Sequence, residues 1–277
     1  MKLKKWIRAV YYSITQERVK LIASSLCGTP LRTHPGTVRS KADQDDAWFF
    51  YLAKHHEVIY DVGANVGYTA LIAMVQNPDR DYFLIDPNPL ALQKAQYNLM
   101  VNNLGFKARY YAAFVSDKNN ETVKFYTLGA GAAGSMHSSH AASAASVNSF
   151  QEVSTVTLDY LLNYYGVRPD LVKIDVEGAE TWVMNGANNL ANETRCAFFI
   201  EMHDVESLSM EDATNKMITW AKSADYNVWY LKTGEILDSG TIVKDRGKCH
   251  LLILPSEKPF PEYLKGIAQG AKLPSVL

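Results

Sequence analysis

The chain has 277 residues, of which 47% are hydrophobic and 21% are charged, and its formal net charge is −1. This length and composition are typical of one large globular α/β domain with short additions. The near-neutral charge leaves no basic footprint for nucleic acid, so we expect no nucleic-acid partner. The three cysteines lie far apart without a Cys-x-x-Cys pair, which argues against a disulfide framework or a zinc site and predicts a cytoplasmic protein.

The first twenty residues combine lysines and arginines with large apolar side chains such as Trp6 and Ile7. The apolar run is too short and too interrupted for a membrane-spanning helix or a signal peptide. A basic amphipathic helix here has two interpretations: weak contact with an anionic membrane surface, or packing of its apolar stripe on the domain. We therefore divide the chain into this helix with an irregular entry segment (1–45), a main domain (46–255) and a loosely packed tail (256–277).

Residues 57–75 form the most informative stretch of the chain. A short apolar run ends in Asp61, a turn with Gly63 and Gly67 follows, and an apolar helix-like run comes next. This order of strand, glycine turn and helix forms nucleotide-cofactor sites in open α/β sheets, because the carboxyl end of the strand meets the amino end of the helix. Two of the three glycines of the dinucleotide signature are missing, and Asn65 stands where the second would be. The carboxylate of Asp61 suits a ligand with an ammonium group and no phosphate, which favours S-adenosylmethionine over NAD.

Apolar strands and amphipathic helices alternate through the rest of the chain, which predicts a mostly parallel sheet with helices on both faces. Further strands are expected at 81–86, 108–116, 153–157, 171–175, 197–201, 227–231 and 250–254, and helices at 47–54, 90–103, 158–165, 179–186 and 210–224. A hairpin strand at 123–127 would extend the sheet edge. The small-residue stretch 129–149 is expected to be a flexible loop, in which the spacing of His137 and His140 is incidental.

Four predicted strands end in an acidic residue: Asp61, Asp86, Asp175 and Glu201. The carboxyl ends of parallel strands share one edge of the sheet, and ligands bind outside that edge. Asp86 follows the glycine turn at the distance that suits a carboxylate accepting hydrogen bonds from ribose hydroxyls. We therefore expect an acidic edge at which a nucleoside-containing cofactor binds.

Two other polar residues follow predicted strands on this edge. Asn88 lies in the Asn-Pro turn directly after Asp86, where it would fix the direction of that carboxylate. Asp117 follows the third strand, and it is either an adenine contact or an ordinary turn residue in Ser-Asp-Lys-Asn-Asn.

The segment 169–180 is as unusual as the glycine turn. Lys173 and Asp175 alternate along an otherwise apolar strand, so both side chains project to the same face. Pairing between them, or with a ligand, would offset the free energy of burying either charge. Glu177 and Glu180 follow at the start of a helix, where acidic residues are preferred, and this preference accounts for Glu180 and in part for Glu177.

Five segments resemble the FkbM family of S-adenosylmethionine-dependent methyltransferases, in family order and over about residues 57–204. They are Asp61-Val-Gly-Ala-Asn-Val-Gly67, Asp86-Pro-Asn-Pro, Thr155-Val-Thr-Leu-Asp-Tyr-Leu-Leu162, Leu171-Val-Lys-Ile-Asp-Val-Glu-Gly-Ala-Glu180 and Phe199-Ile-Glu-Met-His203. The resemblance implies a Rossmann-like seven-stranded class I methyltransferase fold with S-adenosyl-L-methionine as cofactor. It also implies transfer of a methyl group to a hydroxyl, on a sugar, glycan or natural-product acceptor.

Such a transfer requires alignment of the hydroxyl and removal of its proton. Asp175 is the first candidate for the general base or the group that orients the acceptor. Glu201 and His203 come next, and the unperturbed pKa of a histidine suits a base, although a packed structural histidine is an equal interpretation. Lys173 completes the predicted catalytic group. A metal-free site is favoured over a divalent cation held by Asp175, Glu201 and His203.

The predicted cofactor contacts are the polar and glycine residues of the first strand ends. They are Asp61, Gly63, Asn65, Gly67, Asp86, Asn88 and Asp117. Two alternatives to an O-methyltransferase stay open: a nicotinamide oxidoreductase, which the missing glycines disfavour, and a non-catalytic cofactor-binding scaffold at a membrane surface.

Overall fold

The structure is a computed structural model that describes residues 20–127, 135 and 149–276. The amphipathic helix expected near the N-terminus therefore lies outside the described residues, apart from Lys20. So does the expected loop at 129–149, with His137 and His140, apart from Ser135 and Ser149. Within the described part of the chain, no helix is both long and apolar enough to cross a membrane.

The strands and helices alternate along the chain as the sequence pattern predicts. The strands are β1 (Ile22–Leu26), β2 (Thr29–Thr33), β3 (Val58–Val62), β4 (Asp81–Asp86), β5 (Ala108–Ala112), β6 (Phe114–Val115), β7 (Thr122–Tyr126), β8 (Phe150–Val156), β9 (Leu171–Ile174), β10 (Ala197–His203), β11 (Tyr226–Tyr230), β12 (Glu235–Ile236) and β13 (Lys248–Pro255). The α-helices are α1 (Gln44–Lys54), α2 (Tyr68–Met74), α3 (Pro89–Met100), α4 (Leu158–Tyr165), α5 (Glu180–Asn185), α6 (Asn188–Thr194) and α7 (Met210–Ser223).

The central sheet has eight strands in the order β12-β11-β13-β10-β9-β3-β4-β5. The strands from β10 to β5 are parallel, whereas β13 pairs antiparallel with both β10 and β11, and β12 pairs antiparallel with β11. The α/β class is confirmed, but the expected seven-stranded, mostly parallel sheet is wrong in detail, because the sheet is mixed and has an eighth strand. The segment from β11 to β13 has no α-helix, and without a helical crossover the chain returns antiparallel.

The strand predicted at 108–116 is interrupted and serves two sheets. β5 is the last strand of the central sheet, whereas β6 joins a separate three-stranded sheet in the order β6-β8-β7. The hairpin strand predicted at 123–127 exists as β7, but it pairs antiparallel with β8 instead of extending the central sheet. This small sheet buries Phe114 and Phe125 beside the carboxyl ends of the parallel strands.

Both ends of the described chain are more ordered than predicted. The segment expected to be irregular contains the antiparallel hairpin of β1 and β2. The tail expected to pack loosely buries Phe260 and Leu264 in the core, and the N–H of Val276 donates to the carbonyl of Cys27 at 2.9 Å. Apolar burial and this hydrogen bond therefore hold the tail against the domain and the hairpin. The prolines of the tail suggested looser packing than the structure shows.

Strand β3 shows how the core positions the site. Its apolar side chains face alternately into two core clusters, with Ile59 in one and Tyr60 and Val62 in the other. Residues 59–62 of β3 are buried, and the chain leaves the strand at the carboxyl end toward the cavity. There it continues into the glycine turn, between the ends of β4 and β9.

Candidate functional site

A cavity opens at the carboxyl ends of β3, β4 and β9. Its polar wall comes from the glycine turn and the ends of the three strands, and its apolar wall includes residues of the small sheet. Of the predicted site residues, the wall contains Gly63, Asn65, Asp86, Asn88, Lys173 and Asp175. The structure therefore brings together residues from three distant sequence segments, as the pattern of strand ends predicts.

Gly63 is required where the turn meets β9. Its φ is +82°, and a Cβ atom added there would lie 1.8 Å from the carbonyl oxygen of Asp175. Its N–H donates to the carbonyl of Ile85 at 2.9 Å, which ties the turn to β4 as well. Glycine is the residue that fits both the left-handed backbone and this close approach.

Gly67 lies where two helices meet. It precedes α2 with a φ of +81°, and an added Cβ would lie 2.8 Å from the Cβ of Ala95 in α3. Gly67 therefore permits these two helices to pack closely. It is not among the described residues that line the cavity, and its contact with a cofactor stays a prediction.

Asp86 presents a buried carboxylate to the cavity. One oxygen accepts from the N–H of Asn65 and the other from the N–H of Asn88, each at 2.8 Å. Burial raises the pKa of Asp86 to about 6, although these two N–H donors oppose the shift. Because a carboxylate oxygen has two lone pairs, each still has capacity to accept from a ligand hydroxyl.

The two asparagines beside Asp86 differ in function. The side chain of Asn88 caps α3, accepting from the N–H of Leu90 at 3.1 Å, so it shapes the turn as predicted. Asn65 has a φ of +45°, and its buried Oδ1 has no hydrogen-bond partner among the described residues. A buried acceptor of this kind on a cavity wall indicates a missing ligand donor.

The carboxylate of Asp61 does not face the cavity as expected. It is fully buried, and one oxygen accepts from the hydroxyls of Thr69 at 2.6 Å and Tyr82 at 2.9 Å. The other oxygen lies 3.1 Å from Nζ of Lys173. Lys173 therefore supplies a cation to Asp61, and Asp61 is not among the described residues that line the cavity. Contact of Asp61 with the ammonium group of a ligand stays a prediction.

Lys173 and Asp175 pair as predicted. The Nζ of Lys173 lies 3.6 Å from Oδ2 of Asp175 and donates to the carbonyl of Gly63 at 3.1 Å. Although burial opposes its charge, Asp61 and Asp175 raise the pKa of Lys173 above its ordinary value. For Asp175, burial outweighs the attraction of Lys173 and raises the pKa to about 6. Its side chain is 29% exposed, toward the cavity that it lines.

His203 is held by carboxylates on both ring nitrogens. Nδ1 lies 2.8 Å from Oε1 of Glu180, and Nε2 lies 3.5 Å from Oε2 of Glu177 and 3.7 Å from Oε1 of Glu201. Burial opposes the charge of His203, but Glu180, Asp175 and Glu177 raise its pKa to about 9. The ordinary histidine pKa that would suit a base is therefore not present, and the packed interpretation fits the structure better.

Glu180 is a residue whose importance the sequence did not reveal. It is 2% exposed and also accepts from the N–H of Gly178 at 3.0 Å. The preference of helix ends for acidic residues does not explain a carboxylate buried this deeply. The signal that could have found it is its position in the segment that also carries Lys173 and Asp175, on the same strand–turn–helix unit.

Glu201 lies in β10 opposite His250 in β13. Its carboxylate lies 2.7 Å from Nζ of Lys248 and 3.5 Å from Nε2 of His250. Burial raises its pKa, but His250 and Lys248 outweigh burial and hold the pKa well below its ordinary value. Neither Glu201 nor His203 is among the described residues that line the cavity, whereas Asp175 is.

The side of the cavity expected to bind adenine differs from the prediction. Asp117 is exposed, accepts from the hydroxyl of Ser116 at 3.2 Å and is not among the described lining residues, which agrees with its turn interpretation. The wall at this position is instead apolar, with Ala113, Phe114 and Phe125. These residues were not predicted from the sequence, because the small sheet is formed by long-range pairing.

The sheet carries a glycine turn at one strand end, a buried carboxylate at the next and a lysine–carboxylate pair at a third. This arrangement is typical of a cofactor-dependent enzyme of the open-sheet class. The family model described as "Methyltransferase FkbM domain" matches residues 61–228. This match covers more than half of the chain, so the protein belongs to the FkbM methyltransferase family. The resemblance predicted from the sequence is confirmed.

Several solved structures are similar to the chain at low identity. The FkbM methyltransferase of Methylobacillus flagellatus KT is 14% identical, with 72% of this chain and 43% of that chain covered and a TM-score of 0.43. TYW2 of M. jannaschii, solved with AdoMet, is 12% identical over 85% of each chain, with a TM-score of 0.42. Cofactor-bound Rv0187 from MTB is 13% identical over 80% and 82%, with a TM-score of 0.44.

The chain spans less than half the length of the Methylobacillus protein that it matches. No curated protein matches the sequence. Enzymes that share a fold act on many different substrates, so the fold alone does not identify the acceptor.

Proposed function

We propose that the protein is an S-adenosyl-L-methionine-dependent O-methyltransferase that acts on a hydroxyl of a sugar, glycan or natural-product acceptor. The observation that carries this proposal is that two of the carboxylates lining one cavity, Asp86 and Asp175, have different surroundings. Asp86 is fixed by backbone N–H groups, whereas Asp175 is partly exposed and stands over Lys173. The first arrangement suits ribose recognition and the second suits proton removal.

The residues present fit the adenosine part of the cofactor. Asp86 offers acceptors for ribose hydroxyls, and the buried Oδ1 of Asn65 offers a further acceptor on the same wall. Phe114 and Phe125 supply an apolar surface suited to a purine ring. When bound, the cofactor supplies an electrophilic methyl group on a positively charged sulfur. The negative charge of Asp175 and Glu177 on the cavity wall complements that positive charge.

Asp175 acts as the proton acceptor in this proposal. With a pKa of about 6, it is ionised at neutral pH and basic enough to take the proton of a hydroxyl as the oxygen is methylated. Lys173 pairs with both Asp61 and Asp175 and so fixes the position of the Asp175 carboxylate. Asp175 would take the proton of the acceptor hydroxyl while the oxygen forms its bond to the methyl group; the sulfur–methyl bond would break at the same time, which leaves S-adenosylhomocysteine.

A hydroxyl-rich acceptor suits the polar side of the cavity. Asp175 and Glu177 provide acceptors, and Arg39, with a side chain 52% exposed, provides donors on the same wall. Alternating carboxylate and guanidinium groups bind sugar-like hydroxyls through paired hydrogen bonds. This polarity favours a polyhydroxylated acceptor over an apolar one.

Calorimetry with S-adenosylhomocysteine and with NAD tests the cofactor. We expect binding of S-adenosylhomocysteine by the wild type, a loss of at least tenfold in affinity for Asp86→Asn, and no change for Asp117→Asn, an exposed matched control. Binding of NAD alone would support the oxidoreductase alternative and overturn the proposal.

Incubation with methyl-labelled cofactor and separate glycan, metabolite and RNA fractions tests the acceptor. We expect label in a methyl ether of the glycan or metabolite fraction, identified by mass spectrometry after hydrolysis. Label confined to RNA would replace the proposed acceptor class. Cofactor binding without label in any fraction would favour the non-catalytic scaffold.

A further inference from the structure

Helix α3 exposes a stripe of large apolar side chains. Leu90, Tyr97 and Met100 are seven and three residues apart, so they lie on the same side of the helix, and Met100 is 63% exposed. Phe106, in the loop that follows α3, is 78% exposed, the highest value among the large hydrophobic side chains of the described residues. Single exposed apolar residues are ordinary on a protein surface, whereas several together mark an interaction surface.

The β1–β2 hairpin is attached to α3 beside this stripe. The N–H of Arg32 donates to Oδ1 of Asn102 at 2.9 Å, and Nδ2 of Asn102 donates to the carbonyl of Arg32 at 2.8 Å. The ring of His34 packs edge-on against the ring of Tyr97, with centroids 5.4 Å apart. The hairpin adds a further exposed apolar side chain, Ile22. The hairpin, the exposed side of α3 and the loop through Lys107 therefore form one surface, the α3 face.

The α3 face is basic, although the whole chain has a formal net charge of −1. The two segments that form it, residues 18–42 and 87–116, contain no aspartate or glutamate. Asp81, in the neighbouring strand β4, is paired with Arg109 at 2.7 Å. The exposed cationic side chains of the face are Lys20, Arg32 and Lys107. Charge complementarity therefore favours an anionic partner.

The apolar side chains of the α3 face distinguish between two kinds of anionic partner. Single-stranded RNA is bound by cations at its phosphates and by aromatic or arginine side chains that stack on its bases. Ile22, Leu90 and Met100 offer neither contact. An anionic bilayer surface accepts both parts of the face, because apolar side chains enter the interface while lysines and arginines meet the headgroups. The composition therefore favours a bilayer.

The sequence that precedes Lys20 has the same composition. Residues 1–19 contain five lysines and arginines, one acidic residue, Glu17, and apolar residues such as Trp6 and Ile7. This segment joins the described domain at Lys20, directly before β1 of the α3 face. A bilayer that contacts the face would therefore also attract the cations of this segment.

We propose that the α3 face binds the surface of an anionic lipid bilayer, with Met100 and Phe106 entering the interface and the three cations contacting the headgroups. The membrane contact expected from the sequence concerned residues 1–20 alone, whereas this surface belongs to the folded domain. The amino end of α3 lines the cavity and the α3 face lies toward its carboxyl end, so both can be occupied together. The inference goes beyond methyl transfer and does not depend on it.

Co-sedimentation of the full chain with lipid vesicles tests the apolar part of the face. We expect binding to vesicles of equal parts phosphatidylcholine and phosphatidylserine, no binding to phosphatidylcholine alone, and weaker binding as salt is added. Met100→Gln/Phe106→Ser should lower the partition coefficient by at least about tenfold, because two apolar side chains no longer enter the interface. Ile236→Gln/Ile242→Ser, which changes two exposed apolar residues outside the α3 face, is the matched control and should bind as the wild type does.

A second pair of variants tests the charge of the face. Lys20→Gln/Lys107→Gln should lower the partition into the anionic vesicles by about fivefold for each lysine removed. Lys216→Gln/Lys222→Gln removes two exposed lysines of α7 and makes the same change in net charge. It should leave binding within about twofold of the wild type, because α7 is outside the proposed contact.

The remaining measurements decide between partners. Circular dichroism and the affinity for S-adenosylhomocysteine, expected to be unchanged, show that every variant is folded. Equal binding to neutral and anionic vesicles, or undiminished binding by Met100→Gln/Phe106→Ser, overturns the proposal. So does binding of polyuridylic acid without binding of vesicles, or a dimer that Met100→Gln/Phe106→Ser dissociates in analytical ultracentrifugation. None of these outcomes bears on methyl transfer, which the labelling experiment tests separately.

Discussion

Asp61 and Lys173 stand opposite each other on the neighbouring parallel strands β3 and β9, and the Nζ of Lys173 lies 3.1 Å from Oδ1 of Asp61. Neither side chain is more than 7% exposed. This buried pair lies next to the cavity, because Lys173 also contacts Asp175 and the carbonyl of Gly63. One lysine therefore connects the glycine turn with the carboxylate that we propose as the proton acceptor.

Lys173→Met should destabilise the protein by about 3–5 kcal/mol, because removing one partner of a buried ion pair leaves the other charge uncompensated. Urea unfolding measures this free energy. Lys118→Met is the matched control, since Lys118 forms an exposed pair with Glu121 at 3.3 Å, and it should change stability by less than about 1 kcal/mol. Equal effects of the two substitutions would contradict the role given to the buried pair.

Gly63→Ala should abolish cofactor binding and lower stability by several kcal/mol, because the new Cβ would overlap the carbonyl of Asp175. Gly166→Ala is the control for backbone strain alone. Its φ is also positive, at +63°, but nothing lies within 4 Å of the added Cβ, so the expected loss is about 1–2 kcal/mol. Titration with S-adenosylhomocysteine and urea unfolding together distinguish the two effects.

Asp175→Asn should remove methyl transfer and yet stabilise the protein at neutral pH. Burial raises the folded-state pKa of Asp175 from 3.8 to about 6, so its ionisation between these pH values disfavours folding. The stability present below pH 3.8 is lost as the pH rises through about 6, by up to about 3 kcal/mol at about 1.4 kcal/mol per pKa unit. In the wild type, the transfer rate should rise through about pH 6 and then level. A variant less stable than the wild type at pH 7.5 would contradict this.

His203 should titrate near pH 9, because the surrounding carboxylates stabilise its charged form. Its folded-state pKa is raised from 6.5, so the stability that its charge contributes is complete below about pH 6.5 and is lost as the pH rises through about 9. The stability difference between the wild type and His203→Gln should therefore shrink between these pH values. Nuclear magnetic resonance of the imidazole protons gives the pKa directly, and a value near 6.5 would show that the surrounding carboxylates do not hold the charged form.

Local patterns predicted much of the fold because they are encoded over a few residues. The helix expected at 158–165 and the strand at 81–86 match α4 and β4. The β1–β2 hairpin was missed because its turn is Cys27-Gly28, with φ values of +52° and +79°. Hairpin turns with two positive φ values usually carry Asn-Gly, so this turn has an uncommon sequence for its geometry.

The site was predictable where one segment sets the geometry and not where distant segments meet. Asp86 and Lys173–Asp175 were predicted from strand periodicity and turn residues. The pairing of Asp61 with Lys173, and of Glu180 with His203, depends on which strands become neighbours and in what register. Likewise, the apolar wall at Phe125 requires β7 and β8 to pair across a long insertion.

The contact between Gly63 and the backbone of Asp175 limits how this enzyme can diversify. Because the two chain segments touch without room for a methyl group, the glycine turn and Asp175 cannot shift independently. In the proposed function, this contact links the donor part of the site to the acceptor part. A new acceptor preference is therefore more accessible through side chains of the small sheet and the Arg39 side of the cavity than through changes in backbone length near 175–178. Such substitutions would alter what is methylated while leaving the methyl donor in place.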